Sequence, residues 1–273
     1  MPDLWTDLLA CLDIAAIDDA GSFEGRNQQL EYHRVFGGQL LAQFIRIASL
    51  TCPDKAIKSQ HAVFAREGRA DEPIVYRATR HHEGRSFATL TITAAQSRGI
   101  VATSSACMHA TEGGPEHQEI DEVPSLLGPE HEVALDLIPW ETRAAVDLNA
   151  TTTGPPQFEF WMRTPPVDAE LAPALTAYAT DLTLIGTALR PIDGAGQRGN
   201  GTTFTSAVTS HTVWFHRPFR TDGWLLLRQH SPLLAHGRDF GRGDVLTEDG
   251  GPRSVLWPGS SRSFSNDMRR LFF

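Results

Sequence analysis

Asp181 stands in the run Tyr178-Ala179-Thr180-Asp181-Leu182, part of a largely apolar stretch. A carboxylate there is costly to bury unless it has partners or a function. Such a group can accept a proton from a water molecule, the work of a general base. The plainer alternative is a partly exposed residue at a helix start, where negative charge is favoured. Gly37-Gly38, ahead of a helix, can present backbone N–H groups to a developing oxyanion. The same glycines equally permit a tight turn and close packing of helix on sheet. Gln39 could hold a water at that helix start.

His61 and His211 occupy matching places in two similar runs, which favours a shared structural role in bonding backbone over catalysis. Asp181 with His211 is the one Asp/His pair that could serve a hydratase. Arg77, Arg80 and Arg85 could meet phosphates, although arginines along strands more often form surface ion pairs. His81-His82 lacks the spacing for metal ligands on one strand face, and no metal or cofactor is expected. Cys11, Cys52 and Cys107 are scattered, which points to free thiols in a reducing compartment and not to a disulfide framework. The sequence contains no GxSxG, Walker A or dinucleotide fingerprint.

Several elements must position these groups. Apolar positions Leu4, Leu8, Leu9, Leu12 and Ile14 fit an amphipathic helix over 4–16. From Leu40 the chain is apolar on most sides, which predicts a buried helix ended by Pro53. Residues 59–110 are rich in β-branched and aromatic residues, punctuated by Gly68, Gly84 and Gly99, and predict an antiparallel meander. Glu112 to Glu132 has seven acidic residues and no Lys or Arg, the composition of a solvated connector. Phe158 to Arg163 predicts a strand, Leu171 to Leu189 a helix ended by Pro191, and strands resume from Thr202 after a glycine-rich loop.

The 273 residues suffice for two ordinary domains, and a composition 41% hydrophobic and 21% charged is that of a globular protein. The net charge of -9 argues against non-specific nucleic-acid binding, which needs clustered cations, yet leaves room for an anionic ligand met by a few arginines. The stretch from Met1 to Ala20 carries five aspartates and no signal-peptide pattern. No run approaches the length of a membrane span, so a cytoplasmic location is expected.

The two halves resemble each other. His61-Ala62-Val63-Phe64-Ala65-Arg66 is matched by His211-Thr212-Val213-Trp214-Phe215-His216-Arg217, and Gly84-Arg85-Ser86-Phe87 by Gly237-Arg238-Asp239-Phe240, in the same order and at similar spacing. Duplication of one α+β unit follows.

Those runs, with Val35-Phe36-Gly37-Gly38-Gln39, Pro218-Phe219, Trp224, Ser231-Pro232 and Arg242-Gly243, resemble the acyl-CoA thioesterase II family over nearly the whole chain. The resemblance implies a double hotdog: two tandem antiparallel sheets, each wrapped around a central helix. The expected domains are 1–111 and 151–273, with an acidic connector at 112–150. It further implies hydrolysis of acyl-CoA to a free acid and coenzyme A, without a metal, in a homo-oligomer.

The family's catalytic Asp matches Asp181 on the second central helix. Its Thr or Ser falls on Val208, with Thr209 and Ser210 as the neighbouring hydroxyls. Strand alternation turns Thr209 away, while Ser210 shares the face of Val208. The family's Gln falls on Trp257, which can donate a hydrogen bond but not accept one as an amide does. The resemblance thus nominates Asp181, Thr209 and Ser210 as catalytic, and Gly37, Gly38, Gln39 and His61 as substrate-binding. A degenerate double hotdog that holds acyl-CoA without turnover is the alternative that Val208 and Trp257 motivate.

Overall fold

The computed structural model describes residues 3–31, 33–115, 117–119, 122–199 and 204–248, and the strand backbone at 256–264. It divides the chain into two compact units, Met1–Glu116 with Glu170–Ala179, and His117–Ala169 with Thr180–Phe273.

The first unit opens with helix α1 (Leu4–Leu12), capped by the Asp3 side chain. Short strands β1 (Ala15–Ala16) and β2 (Ser22–Gly25) follow, then helix α2 (Gly37–Thr51). Strands β3 (Ala56–Phe64), β4 (Ile74–Glu83), β5 (Phe87–Gln96) and β6 (Gly99–His109) come next, and α3 (Ala172–Thr180) has all but its last residue in this unit. The β-strand order is β1-β2-β4-β5-β6-β3, antiparallel throughout. Strands β4, β5 and β6 form the expected meander, but β3 pairs with β6 and not with β4, its neighbour in sequence.

Helix α2 lies against β3, β4, β5 and β6, and alternate residues of the strands bury toward the core: Ile74 and Tyr76 on β4, Leu90 and Ile92 on β5, Ala106 and Met108 on β6. The helix begins three residues before the expected Leu40, so Gly37 and Gly38 form its first turn and do not precede it. It ends before Pro53, where the residue preceding a proline is driven out of the helical region.

In the second unit, β7 (Glu141–Arg143) and β8 (Gln157–Arg163) precede α4 (Leu184–Leu189), followed by β9 (Ser210–Trp214), β10 (Leu225–Ala235), β11 (Arg238–Thr247) and β12 (Leu256–Phe264). The sheet order is β12-β11-β10-β8-β7, again antiparallel. Helix α4 packs on β8, β10 and β11. The resumption of strand expected at Thr202 falls outside the described residues.

Two further expectations are corrected. The helix expected from Leu171 to Leu189 is broken at Asp181, Leu182 and Thr183, where the Thr183 hydroxyl is given to Gln229 on β10. The acidic segment is not merely a solvated spacer. Val123, Leu126 and Leu127 cover a cluster of Trp161, Trp224, Leu226 and Leu246, and β7 pairs along β8. Acidic composition masked these few apolar anchors.

Candidate active site

Asp181 occupies the turn between α3 and α4, and burial leaves it 5% exposed. Four side chains of the second unit pin that turn. The Thr180 hydroxyl lies 3.1 Å from His211 Nε2. Gln197 Nε2 donates to the Leu182 carbonyl at 3.0 Å. The Thr183 hydroxyl donates to Gln229 Oε1 at 2.6 Å, and the Thr187 hydroxyl donates to the Thr183 carbonyl at 2.8 Å. A carboxylate on a turn so constrained has a defined direction, which a general base needs.

Thr209 precedes β9 and Ser210 opens it; both are half-buried. The alternation expected to turn Thr209 away therefore does not govern it, because regular strand begins only at Ser210. Val208 packs against the apolar cluster of Ile185, Leu189 and Phe204. Trp257 lies in β12, with its side chain outside the described residues.

His211 is fully buried whereas His61 is exposed. The shared structural role expected for them does not hold, since a one-residue change of phase moves a strand residue to the opposite face. On β3 the buried partner is Gln60, whose Nε2 donates to the Leu41 carbonyl of α2 at 3.1 Å.

At the start of α2, an ideal Cβ on Gly38 would lie 2.5 Å from the Tyr178 carbonyl oxygen, and the Phe36 ring meets Tyr178 edge-on with centroids 5.1 Å apart. Close packing thus requires the glycine. Gln39 is 1% exposed; its Oε1 accepts from the Gln28 amide at 3.0 Å, and its Nε2 donates to Asn27 Oδ1 and Gln43 Oε1 at 2.8 and 3.1 Å. These bonds place Gln39 inside a network that joins α2 to the segment after β2. The same network contains Tyr76, which donates to Gln43 Oε1 at 2.6 Å.

Arg80 pairs with Glu83 and donates to the Thr51 carbonyl, as a surface ion pair does. His81 and His82 are exposed. Among the described residues no group of His, Cys, Asp or Glu could hold a metal ion, and no helix is long and apolar enough to cross a membrane.

Two buried polar groups were missed in the sequence. Asp239 on β11 is 3% exposed, neither carboxyl oxygen has a hydrogen-bond partner among the described residues, and burial pushes its pKa up to about 7. Gln229 is 1% exposed, and its Nε2 has no partner among the described residues. Alternation through Leu225, Leu227 and Gln229 was the available signal for the second, and an acid in the otherwise apolar face leading to Val245 for the first.

Comparison with known proteins bears on this arrangement. Residues 28–110 match the acyl-CoA thioesterase N-terminal domain and residues 112–252 the acyl-CoA thioesterase C-terminal domain. The chain belongs to the acyl-CoA thioesterase family. It is 31% identical to acyl-CoA thioesterase 2 of Haemophilus influenzae, over 92% of this chain and 94% of that one. Among solved structures, acyl-CoA thioesterase II TesB2 from Mycobacterium marinum superposes with a TM-score of 0.78 at 26% identity, covering 96% of this chain and 98% of that one. A hot dog fold protein from Alicyclobacillus acidocaldarius shares the fold with a TM-score of 0.72 at 17% identity, covering 95% and 97%. The thioesterase family's two domain matches leave the break at Asp181–Thr183 inside the C-terminal one.

Proposed function

We propose that the chain hydrolyses acyl-CoA thioesters to a free acid and coenzyme A, with Asp181 as the base. The observation that carries this reading is family membership across both halves, joined to a buried carboxylate on a turn pinned from four sides. In this reading each unit is one hotdog, its sheet wrapped on α2 or α4. The first domain is 1–111, and the second takes in 151–273 together with β7 and the apolar anchors of the 112–150 segment.

Asp181 takes a proton from a water as the water attacks the thioester carbonyl. Thr209 and Ser210 are the hydroxyls that assist it. The thiolate is a good leaving group, so no strong general acid is required. In the first unit, taken by itself, the amides of Gly37 and Gly38 give α2 an N-terminus that favours negative charge, and exposed His61 is a candidate for contact with substrate. Gln39 serves the buried network in this account and not a water. Oligomer formation and a cytoplasmic location are further proposals, drawn from the family resemblance.

Val208 favours one rival reading, a protein that holds acyl-CoA without turnover, because its side chain belongs to an apolar cluster and supplies no hydroxyl. Free-thiol release from short-, medium- and long-chain acyl-CoAs separates the two. Turnover supports the hydrolase; binding without thiol release makes the chain a ligand-holding protein.

A further inference from the structure

Asp239 lies on the inward face of β11. Burial along the strand alternates through Asp239, Gly241, Gly243 and Val245, on a strand against which α4 packs. Directly across the ladder from Asp239 is Leu234 of β10, and cross-strand partners put their side chains on the same face. Leu234 packs on the apolar cluster of Ile185, Leu189 and Phe204, as do Ala195 and Val208. The Asp239 carboxyl therefore borders that cluster. It is buried, and neither oxygen has a hydrogen-bond partner among the described residues. Gly241 and Gly243, next on the same face, carry no side chain to meet it. A buried polar group left unpaired costs stability and calls for an explanation.

The cluster also borders the candidate site. Ile185 sits in the first turn of α4, just after the break at Asp181–Thr183, and Leu189 ends that helix, about 9 Å in length. Val208 immediately precedes Thr209. Ala195, Val208 and Leu234 are only partly buried, so the cluster is not sealed. An acyl chain whose thioester lies at Asp181 meets this apolar surface as it leaves the turn.

We propose that Asp239 is a specificity-determining residue, which selects acyl chains that carry a hydroxyl by hydrogen-bonding that hydroxyl inside the apolar cluster. This rests on the thioesterase reading and names its substrate class: hydroxyacyl-CoA with the hydroxyl down the chain, away from the thioester. Burial pushes the pKa of the carboxyl up to about 7, so near neutral pH it is present both as an acid, which donates, and as a carboxylate, which accepts. A hydroxyl answers either form, whereas an ammonium suits only the carboxylate and a ketone only the acid. A plain acyl chain in the same place leaves the carboxyl unpaired. Sites built around a buried polar group discriminate against the analogue that lacks its partner.

The test is thiol release by the full chain from lauroyl-CoA and from hydroxylauroyl-CoAs whose hydroxyl moves from the third carbon to the chain end. Wild type should favour a distal hydroxyl isomer over the unsubstituted parent by about tenfold or more in kcat/KM. In Asp239→Leu that ratio should fall to within about twofold of unity. Asp239→Asn, whose amide still donates and accepts, should keep part of the preference. A carboxyl that served folding alone would change both rates together and leave the ratio where it was. Should Asp239→Leu be unfolded by circular dichroism, the ratio for Asp239→Asn decides in its place, and a value equal to wild type counts against the proposal. A wild type that prefers no hydroxyacyl-CoA to its parent, or a folded Asp239→Leu that keeps the preference, overturns the role of Asp239 alone. A wild type that releases no thiol from any acyl-CoA overturns the thioesterase reading, and this one with it.

Discussion

The Thr180 hydroxyl and His211 Nε2 meet at 3.1 Å in the interior of the second unit, and Asp181 is the next residue along the chain. The bond ties the start of the Asp181 turn to β9, the strand that Ser210 opens. Replacing His211 by Phe leaves the Thr180 hydroxyl buried without this partner. The expected cost is about 1–3 kcal/mol of stability, together with a fall in kcat because the turn loses one of its anchors. Denaturant unfolding and thiol release, measured on the same preparation, check both parts.

Gly38→Ala should destabilise the chain, although Ala is the better helix former by about 1 kcal/mol. The added methyl would sit 2.5 Å from the Tyr178 carbonyl oxygen, a contact that forces backbone to move. A net loss of about 1–3 kcal/mol is expected. A melting temperature equal to or above that of wild type would contradict the packing described at the start of α2.

Asp239 should make the protein less stable as pH rises. Its folded pKa, raised by burial to about 7, exceeds the ordinary unfolded value near 3.9, so the folded state holds a proton that the unfolded state has released. Stability therefore declines from about pH 4 up to the folded pKa and then levels, by an amount on the order of 4 kcal/mol at most. Thermal melts at pH 5 and pH 8 should show a lower midpoint at pH 8 for wild type, and Asp239→Asn should remove most of that difference.

Tyr76→Phe should cost about 1 kcal/mol, since Gln43 Oε1 keeps the Gln39 donor at 3.1 Å when the 2.6 Å phenol bond is lost. Gln43→Leu should cost several times more, because it removes the acceptor of Tyr76 and one of the two acceptors of Gln39 Nε2, and frees the Cys11 and Arg26 carbonyls. Urea midpoints for the two variants distinguish these outcomes.

Much of this architecture was legible in the sequence because period carries it. The alternation around Thr89 to Thr93 marks β5, and the apolar run after Leu40 marks α2. The pairing of β3 with β6 was not legible, since local pattern identifies a strand but not its neighbour. The phase difference between His61 and His211 escaped for a related reason: matched letters fix a register in sequence, whereas a face depends on where the strand sits on its sheet. Asp181 was nominated because a carboxylate in an apolar run is conspicuous, and the structure buries it. Its turn was not, because Thr180 and Thr183 fit a helix as well as a break until their partners, His211 and Gln229, are placed in space.

The most direct test of the account is kcat for Asp181→Asn, a change that keeps shape and removes the charge, set beside acyl-CoA affinity measured by calorimetry. The account predicts a loss of at least about 10²-fold in kcat, with affinity for acyl-CoA within a few-fold of wild type. An Asp181→Asn enzyme that releases thiol at the wild-type rate would show that the base lies elsewhere.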